Sequence, residues 1–371
     1  MTKIHELTNH GQSIWYDNIR RALIDSGELQ ALLDAGVMGV TSNPSIFEKA
    51  IVGSTDYDDA IQALAFDGKP VEEIYETLAN EDIQRTADLL RPIYDHTNGV
   101  DGYVSLEVSP TLAHDTEGTI ADAQRLHAAL NRPNVMIKVP ATPAGIPAID
   151  ALIGAGLSIN VTLIFGLNTY EAVAEAYLAG LEKLSAAGGD ESRVASVASF
   201  FISRIDSAVD TALAALNNEA LRGKIAIASA KLAFARSHAI FSGDRWRQLA
   251  DQGARVQRLL WASTGTKNPA YSDTLYLDEL IGRDTVNTVP PATLDAFLDH
   301  GTIAAPLGQG IDNARSQLKQ LAGLGIDLDA IAQTLQDEGV AGFAKSFASL
   351  MAGVAAKCDQ LRVQHDPGDD F

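Results

Sequence analysis

Short apolar runs alternate along the chain with longer stretches in which apolar residues return every three or four positions. Eight runs have the length and β-branched content of strands: residues 14–17, 38–43, 103–108, 135–139, 157–163, 194–201, 256–263 and 285–289. Between them, Tyr170, Val173, Tyr177, Leu181 and Leu184 follow helical spacing, as do Ile205, Val209, Leu213 and Leu216. Residues 18–33 and 121–130 also read as helices. Strands that alternate with helices build parallel sheet. Eight such units predict an α/β fold, a closed (β/α)8 TIM barrel with additional helices, with a doubly wound open sheet as the alternative.

Two connections exceed what a simple barrel needs. Residues 44–100 predict a helical excursion over the barrel top, and residues 290–365 a helical C-terminal extension. In that extension Phe343, Phe347, Leu350, Met351, Val354 and Leu361 form an apolar stripe, expected to pack on the outside of the barrel. The ending from Asp366 to Phe371 reads as frayed. No repeat or low-complexity linker divides the chain, so residues 1–371 are taken as one domain.

Composition removes several function classes. Hydrophobic residues make up 46% and charged residues 20%, as in ordinary globular enzymes. A formal charge of −20 argues against nucleic acid or an anionic membrane as partner. It leaves room for a small phosphorylated substrate, which needs only a few local cations. The single cysteine, Cys358, precludes an intramolecular disulfide and falls beside the apolar face of a helix, as a core residue would. The segment MTKIHELTNH lacks the apolar centre of a signal peptide, and no uninterrupted apolar run approaches ~18 residues, so a soluble cytoplasmic protein is expected. The histidines show no metal-binding spacing, and Gly308-Gln309-Gly310 is only the first half of a dinucleotide fingerprint with no strand before it. No metal and no cofactor are expected.

Strand parity brings in the chemistry. In residues 135–139, Val135, Ile137 and Val139 point one way, and Met136 and Lys138 the other. A lysine on a buried face is rare unless paired. Burial disfavours the charged form of an amine, and the neutral amine attacks carbonyls. In residues 103–108, Ser105 and Glu107 oppose Val104, Leu106 and Val108; in residues 157–163, Ser158, Asn160 and Thr162 oppose four aliphatic residues; Thr41 and Asn43 share a parity. One face of each strand packs on helices, so Glu107, Lys138, Asn160, Thr162 and Asn43 should converge inside the barrel near the C-terminal strand ends, where barrel active sites lie.

That set suits imine chemistry, in which a carboxylate such as Glu107 moves protons through a water held by Thr162. Asn43 and Asn160 are suited to substrate hydroxyls. Asp17, ending the first strand, is suited to be the base for a sugar hydroxyl, or simply to cap a helix starting near Asn18. A buried Lys–Glu pair is also compatible with a purely structural role. Arg204, Ser263 and Lys267 follow the sixth and seventh strands, where barrels commonly bind phosphate; singly, each would be an ordinary surface group.

These residues resemble the transaldolase family across most of the chain. The resemblance rests on Val40-Thr41-Ser42-Asn43-Pro44-Ser45, Val104-Ser105-Leu106-Glu107-Val108, and Met136-Ile137-Lys138-Val139-Pro140 followed by Gly145. It also rests on the segment from Gly156 to Phe165 and on Val197-Ala198-Ser199-Phe200-Phe201-Ile202-Ser203-Arg204, all in this order. The resemblance implies a cofactor-free barrel that transfers a dihydroxyacetone unit from sedoheptulose 7-phosphate to glyceraldehyde 3-phosphate, in the non-oxidative pentose phosphate pathway. It implies that Lys138 is the Schiff-base nucleophile, that Glu107 and Thr162 handle the water, and that Asp17 moves the proton of aldol cleavage. Asn43, Asn160 and Ser199 would hold the three-carbon unit, and Arg204 and Ser263 the phosphate. Many relatives carry an arginine two residues after the serine matching Ser263. Here Gly265 stands there, and Lys267 is the cation that would replace it. The long connections resemble the longer-chain subgroup, with a monomer or homodimer both open. A class I aldolase on the same barrel is the competing activity; a non-catalytic sugar-phosphate binder has no need of Glu107 and Lys138 on one face.

Overall fold

The computed structural model describes residues 2–304 and 306–363. The expected fraying from Asp366 lies outside the described residues. Eight parallel strands close into a barrel: β1 (Gln12–Tyr16), β2 (Gly39–Thr41), β3 (Tyr103–Glu107), β4 (Val135–Pro140), β5 (Ile159–Ile164), β6 (Ser196–Phe201), β7 (Arg258–Ala262) and β8 (Thr285–Val289). Each pairs with the next, and β8 returns to β1. All eight sit where the apolar runs put them, and the open sheet is excluded. The aliphatic parity of β3, β4 and β5 (Val104, Leu106, Ile137, Val139, Ile159 and Val161) is buried.

The N-terminal end of the barrel is tied by a buried ion pair. Arg258 meets Asp101 at 2.9 Å, and Asp101 also accepts from Trp15 and Ser13. This end is built for stability, and the chemistry-bearing residues lie at the other.

Three expectations need correction first. Residues 18–33 are not one helix: Arg21–Asp25 and Glu28–Asp34 are separated at Gly27, whose φ of +79° suits glycine. β2 stops at Thr41, because Pro44 starts a helix and Asn43 becomes its N-cap, accepting from the Ile46 N–H at 3.0 Å. Finally, the C-terminal helix Leu328–Val363 does not lie on the barrel's outside. It crosses the C-terminal mouth, packing on the segments that follow β2, β3 and β6 and on β5 itself.

The path of this helix follows from its stripe. Phe343, Leu350, Val354 and Cys358 are buried, and Phe347 stacks edge-on against Tyr75. Two polar anchors fix its position. Gln336 donates to the Ala141 and Leu163 carbonyls at 2.9 and 3.1 Å, and Ser346 bonds Ser45 at 2.8 Å. By averaged hydropathy the stretch Leu328–Arg362 is long and apolar enough to span a membrane, yet its large apolar side chains face the barrel.

The excursion contributes helices Pro44–Phe47, Asp58–Phe66 and Val71–His96. The last runs against β3 as the crossover of that unit rather than over the top. It is locked to the β1 side by Asp82, fully buried, which accepts from Arg21 at 3.1 Å and Tyr57 at 2.7 Å.

Candidate active site

The strand register places Glu107, Lys138 and Asn160 in one row: Glu107 opposes Lys138 across β3 and β4, and Lys138 opposes Asn160 across β4 and β5. Thr162 is one step further up, opposite Pro140. Lys138 is only 5% exposed. Its Nζ donates to the Ser42 carbonyl at 3.1 Å, lies 3.5 Å from Glu107 Oε2, and faces the Phe343 ring at 5.8 Å.

Two buried oxygens beside this amine, Glu107 Oε2 and Thr162 Oγ1, have no hydrogen-bond partner among the described residues. The 3.5 Å contact with Lys138 is an ion pair that is too long for a good hydrogen bond. Burial pushes the Glu107 carboxyl above the usual range, and the Lys138 charge only partly opposes it.

Asp17 is not a helix cap. The helix starts at Arg21, with Arg20 as a cap that makes no side-chain bond. Asp17 instead accepts from Thr41 at 2.7 Å, and Thr41 in turn meets Thr288 at 2.5 Å. Its pKa is raised by burial, against the opposing pull of Lys138, Thr41 and Lys267. Two carboxyls therefore flank the amine from different strands, each in its own environment.

A cleft of about 180 Å³ opens above, lined by Asp17, Asn43, Lys138, Thr162, Ser199, Arg204, Ser263 and Lys267. Eight of the ten expected site residues share it. Glu107 faces a neighbouring cavity, and Asn160 lies one layer below. Asn160 is fully buried, donating to Ser105 at 3.0 Å and accepting from Ser199 at 2.7 Å. With the Asn43 carbonyl used as a cap, its amide N–H groups are what it offers the cleft.

At the far end Arg204 lies 5.3 Å from the Phe201 ring, its pKa lowered by burial, with no hydrogen bond or ion pair among the described residues. Ser263 has a φ of +57° and bonds Ser203 at 2.9 Å. Lys267 is exposed and also free of an ion pair among the described residues. Gly265 lines the cleft, where a Cβ would approach Thr293 Oγ1 to 3.2 Å.

Parity missed Ser42, Thr288, Phe201 and Phe343, all near the amine or cleft, and it marked Thr41 without giving it a role. Thr41 and Ser42 sit inside a recognised segment, so that segment was a signal. Phe343 had only its place in the apolar stripe, which marks burial and not a site, since it reaches Lys138 from more than 200 positions away along the chain. Among the described residues no group of three or more His, Cys, Asp or Glu is placed to hold a metal ion.

Fold and cleft together define a parallel α/β barrel with a buried lysine flanked by two carboxyls at the mouth. The chain belongs to the transaldolase/fructose-6-phosphate aldolase family, whose model matches residues 14–354. It is similar to transaldolase 2 of Nostoc punctiforme, 46% identical over 96% of this chain and 97% of that protein. Similarity to transaldolase 1 of Streptomyces avermitilis is 49% over 95% of this chain and 94% of that protein. The transaldolase of Thermobifida fusca is also 49% identical, covering 95% of this chain and 97% of that protein.

Proposed function

We propose that this enzyme, a transferase of the transaldolase type, moves a dihydroxyacetone unit from sedoheptulose 7-phosphate to glyceraldehyde 3-phosphate in the non-oxidative pentose phosphate pathway. The products are erythrose 4-phosphate and fructose 6-phosphate. The observation that carries this reading is the buried Lys138 amine, 3.5 Å from Glu107, facing a cleft that Asp17, Arg204 and Lys267 also line. The full-length similarity to proteins named transaldolase favours transfer over simple aldol cleavage.

Glu107 takes a proton from the Lys138 ammonium, and the freed amine adds to the ketose C2 carbonyl, giving a carbinolamine. Glu107 supplies the proton with which the C2 oxygen leaves as water, and the iminium remains. Asp17 takes the proton of the C4 hydroxyl. The C3–C4 bond then breaks, its electron pair flows to the iminium as an enamine, and the aldose phosphate departs. The acceptor aldehyde enters, the enamine carbon attacks it, and Asp17 returns the proton. Water, activated between Glu107 and Thr162, hydrolyses the new imine. Asn43 and Ser199 hold hydroxyls of the three-carbon unit, with Asn160 orienting Ser199. Arg204, Ser263 and Lys267 hold the phosphate. The reaction needs no cofactor. We place it in the cytoplasm, as a monomer or homodimer.

The test is borohydride reduction with fructose 6-phosphate, followed by peptide mapping. The expected adduct is on Lys138, and an adduct on another lysine would falsify the assignment. Cleavage that runs equally fast with and without erythrose 4-phosphate would replace transfer by the aldolase activity.

A further inference from the structure

A second cavity, of about 110 Å³, adjoins the cleft on the β3 side. Glu107 lines this cavity and not the cleft that holds Lys138 and Asp17. The C-terminal helix and Asn43 lie between the two: Phe343 lines the cleft, Phe347, one turn on, lines the cavity, and Asn43 lines both. The Lys138–Glu107 pair therefore straddles two compartments.

The cavity walls are largely apolar, with Phe47, Tyr75, Ala79 and Leu126 among them. Two lining residues carry buried oxygens without hydrogen-bond partners, Glu107 Oε2 and Asn80 Oδ1. Both are acceptors, so what they call for is a small donor. At the outer end lie charged groups, Arg125 paired with Asp122 and Glu76, and the exposed Glu72, which mark contact with solvent. An apolar passage with polar groups at its inner end and its mouth suits water better than a sugar.

Resting on the imine mechanism above, a physical demand points the same way. Imine formation expels one water and hydrolysis admits one, each while a sugar phosphate occupies the cleft. A phosphate held by Arg204 and Lys267 obstructs that side, and Phe343 covers the amine from above. We propose that the β3-side cavity is the water and proton route to Glu107, separate from the route of the sugars. Through it the C2 oxygen leaves as water, and Glu107 exchanges its proton with solvent.

The experiment uses the full chain carrying Asp17→Ala, in which the mechanism above predicts imine formation without cleavage of the sugar. Transfer of ¹⁸O from labelled water into C2 of fructose 6-phosphate, corrected for the enzyme-free rate, then counts only imine formation and hydrolysis. Two plugs are added separately from different walls, Ala79→Leu and Ser109→Leu, with folding checked by circular dichroism. We expect exchange to fall at least about tenfold in either plugged protein, the scale of impaired proton transfer, while fructose 6-phosphate affinity is unchanged. Ordinary exchange in the unplugged protein that persists within twofold in both plugged ones overturns this inference alone. Absence of exchange and of a Lys138 adduct in the unplugged protein overturns the imine mechanism, and this inference with it.

Discussion

Replacing Asp17 by asparagine separates chemistry from architecture, because the two roles predict opposite signatures. Asn keeps the volume and the oxygen that accepts from Thr41 at 2.7 Å. It removes the charge that burial destabilises, since the Asp17 pKa is raised despite Lys138, Thr41 and Lys267. The sign follows from linkage. A carboxyl whose folded pKa lies above its unfolded value stabilises the fold below the unfolded pKa, and that contribution is lost as pH rises through the folded pKa. At neutral pH the ionised Asp17 therefore costs stability, about 1.4 kcal/mol per unit of displacement. Asp17→Asn should accordingly be as stable as the parent at low pH and more stable at neutral pH. Turnover should fall by roughly 10²- to 10⁴-fold, ~2.7–5.4 kcal/mol, as expected for a lost general base. The imine adduct on Lys138 should still form. The assays are urea melts at several pH values, coupled transfer kinetics, and borohydride trapping. A structural role would show the reverse: a loss of about 1.5–3 kcal/mol, the scale of a hydrogen bond to a charged group, with near-normal turnover. That outcome would refute the assignment.

Asp206, behind the cleft, accepts from the Ala226 N–H and Tyr276, yet burial pushes its pKa up to about 6 from 3.8. By the same sign rule, Asp206→Asn should gain stability relative to the parent between about pH 4 and 6, by ~3 kcal/mol in total; urea melts that shift in parallel at pH 4 and 7 would contradict this. Lys267→Ala should raise KM for phosphorylated ketoses by roughly tenfold, the loss of one charge-assisted contact, while barely changing KM for unphosphorylated analogues; equal effects on both would remove Lys267 from the phosphate site. Phe343→Ala opens the cleft above Lys138 and should increase the free dihydroxyacetone released per transfer event several-fold, on the order of 1 kcal/mol in partition. An unchanged ratio would show that Phe343 does not shield the imine.

The strands were legible because a parallel barrel buries both faces, so each strand appears as a dense apolar run with a polar minority of one parity. The same property exposed the Glu107–Lys138–Asn160 row, which needed only adjacent strands in register. Legibility failed where a residue's place depends on the next element's start. Asn43 looked like a strand residue by parity, but Pro44 ends the strand and turns Asn43 into a cap. Asn160 reads as a ligand for substrate hydroxyls by parity, and its amide also bonds Ser105 and Ser199, partners that parity does not show. Parity tells which way a side chain points and not what it meets there.

The C-terminal helix shows the deeper limit. Its stripe states that one face must be covered, but an apolar stripe carries no address. The address comes from polar contacts, Gln336 to the Ala141 and Leu163 carbonyls and Ser346 to Ser45. Leu163 holds a φ of +59°, a conformation that costs a leucine roughly 1–3 kcal/mol and persists only when its surroundings fix it. The register shift in β5 between Val161 and Ile164 accompanies it. The strained turn presents the Leu163 carbonyl to Gln336, while Gly339 lets the helix come close, since a Cβ there would lie 2.8 Å from the Leu163 side chain. Thr162, next to that strain, belongs to the cleft, and Phe343, two turns beyond Gln336, lies over Lys138. Backbone strain at the strand end and helix docking thus support each other, and together they build the wall that the barrel alone would lack.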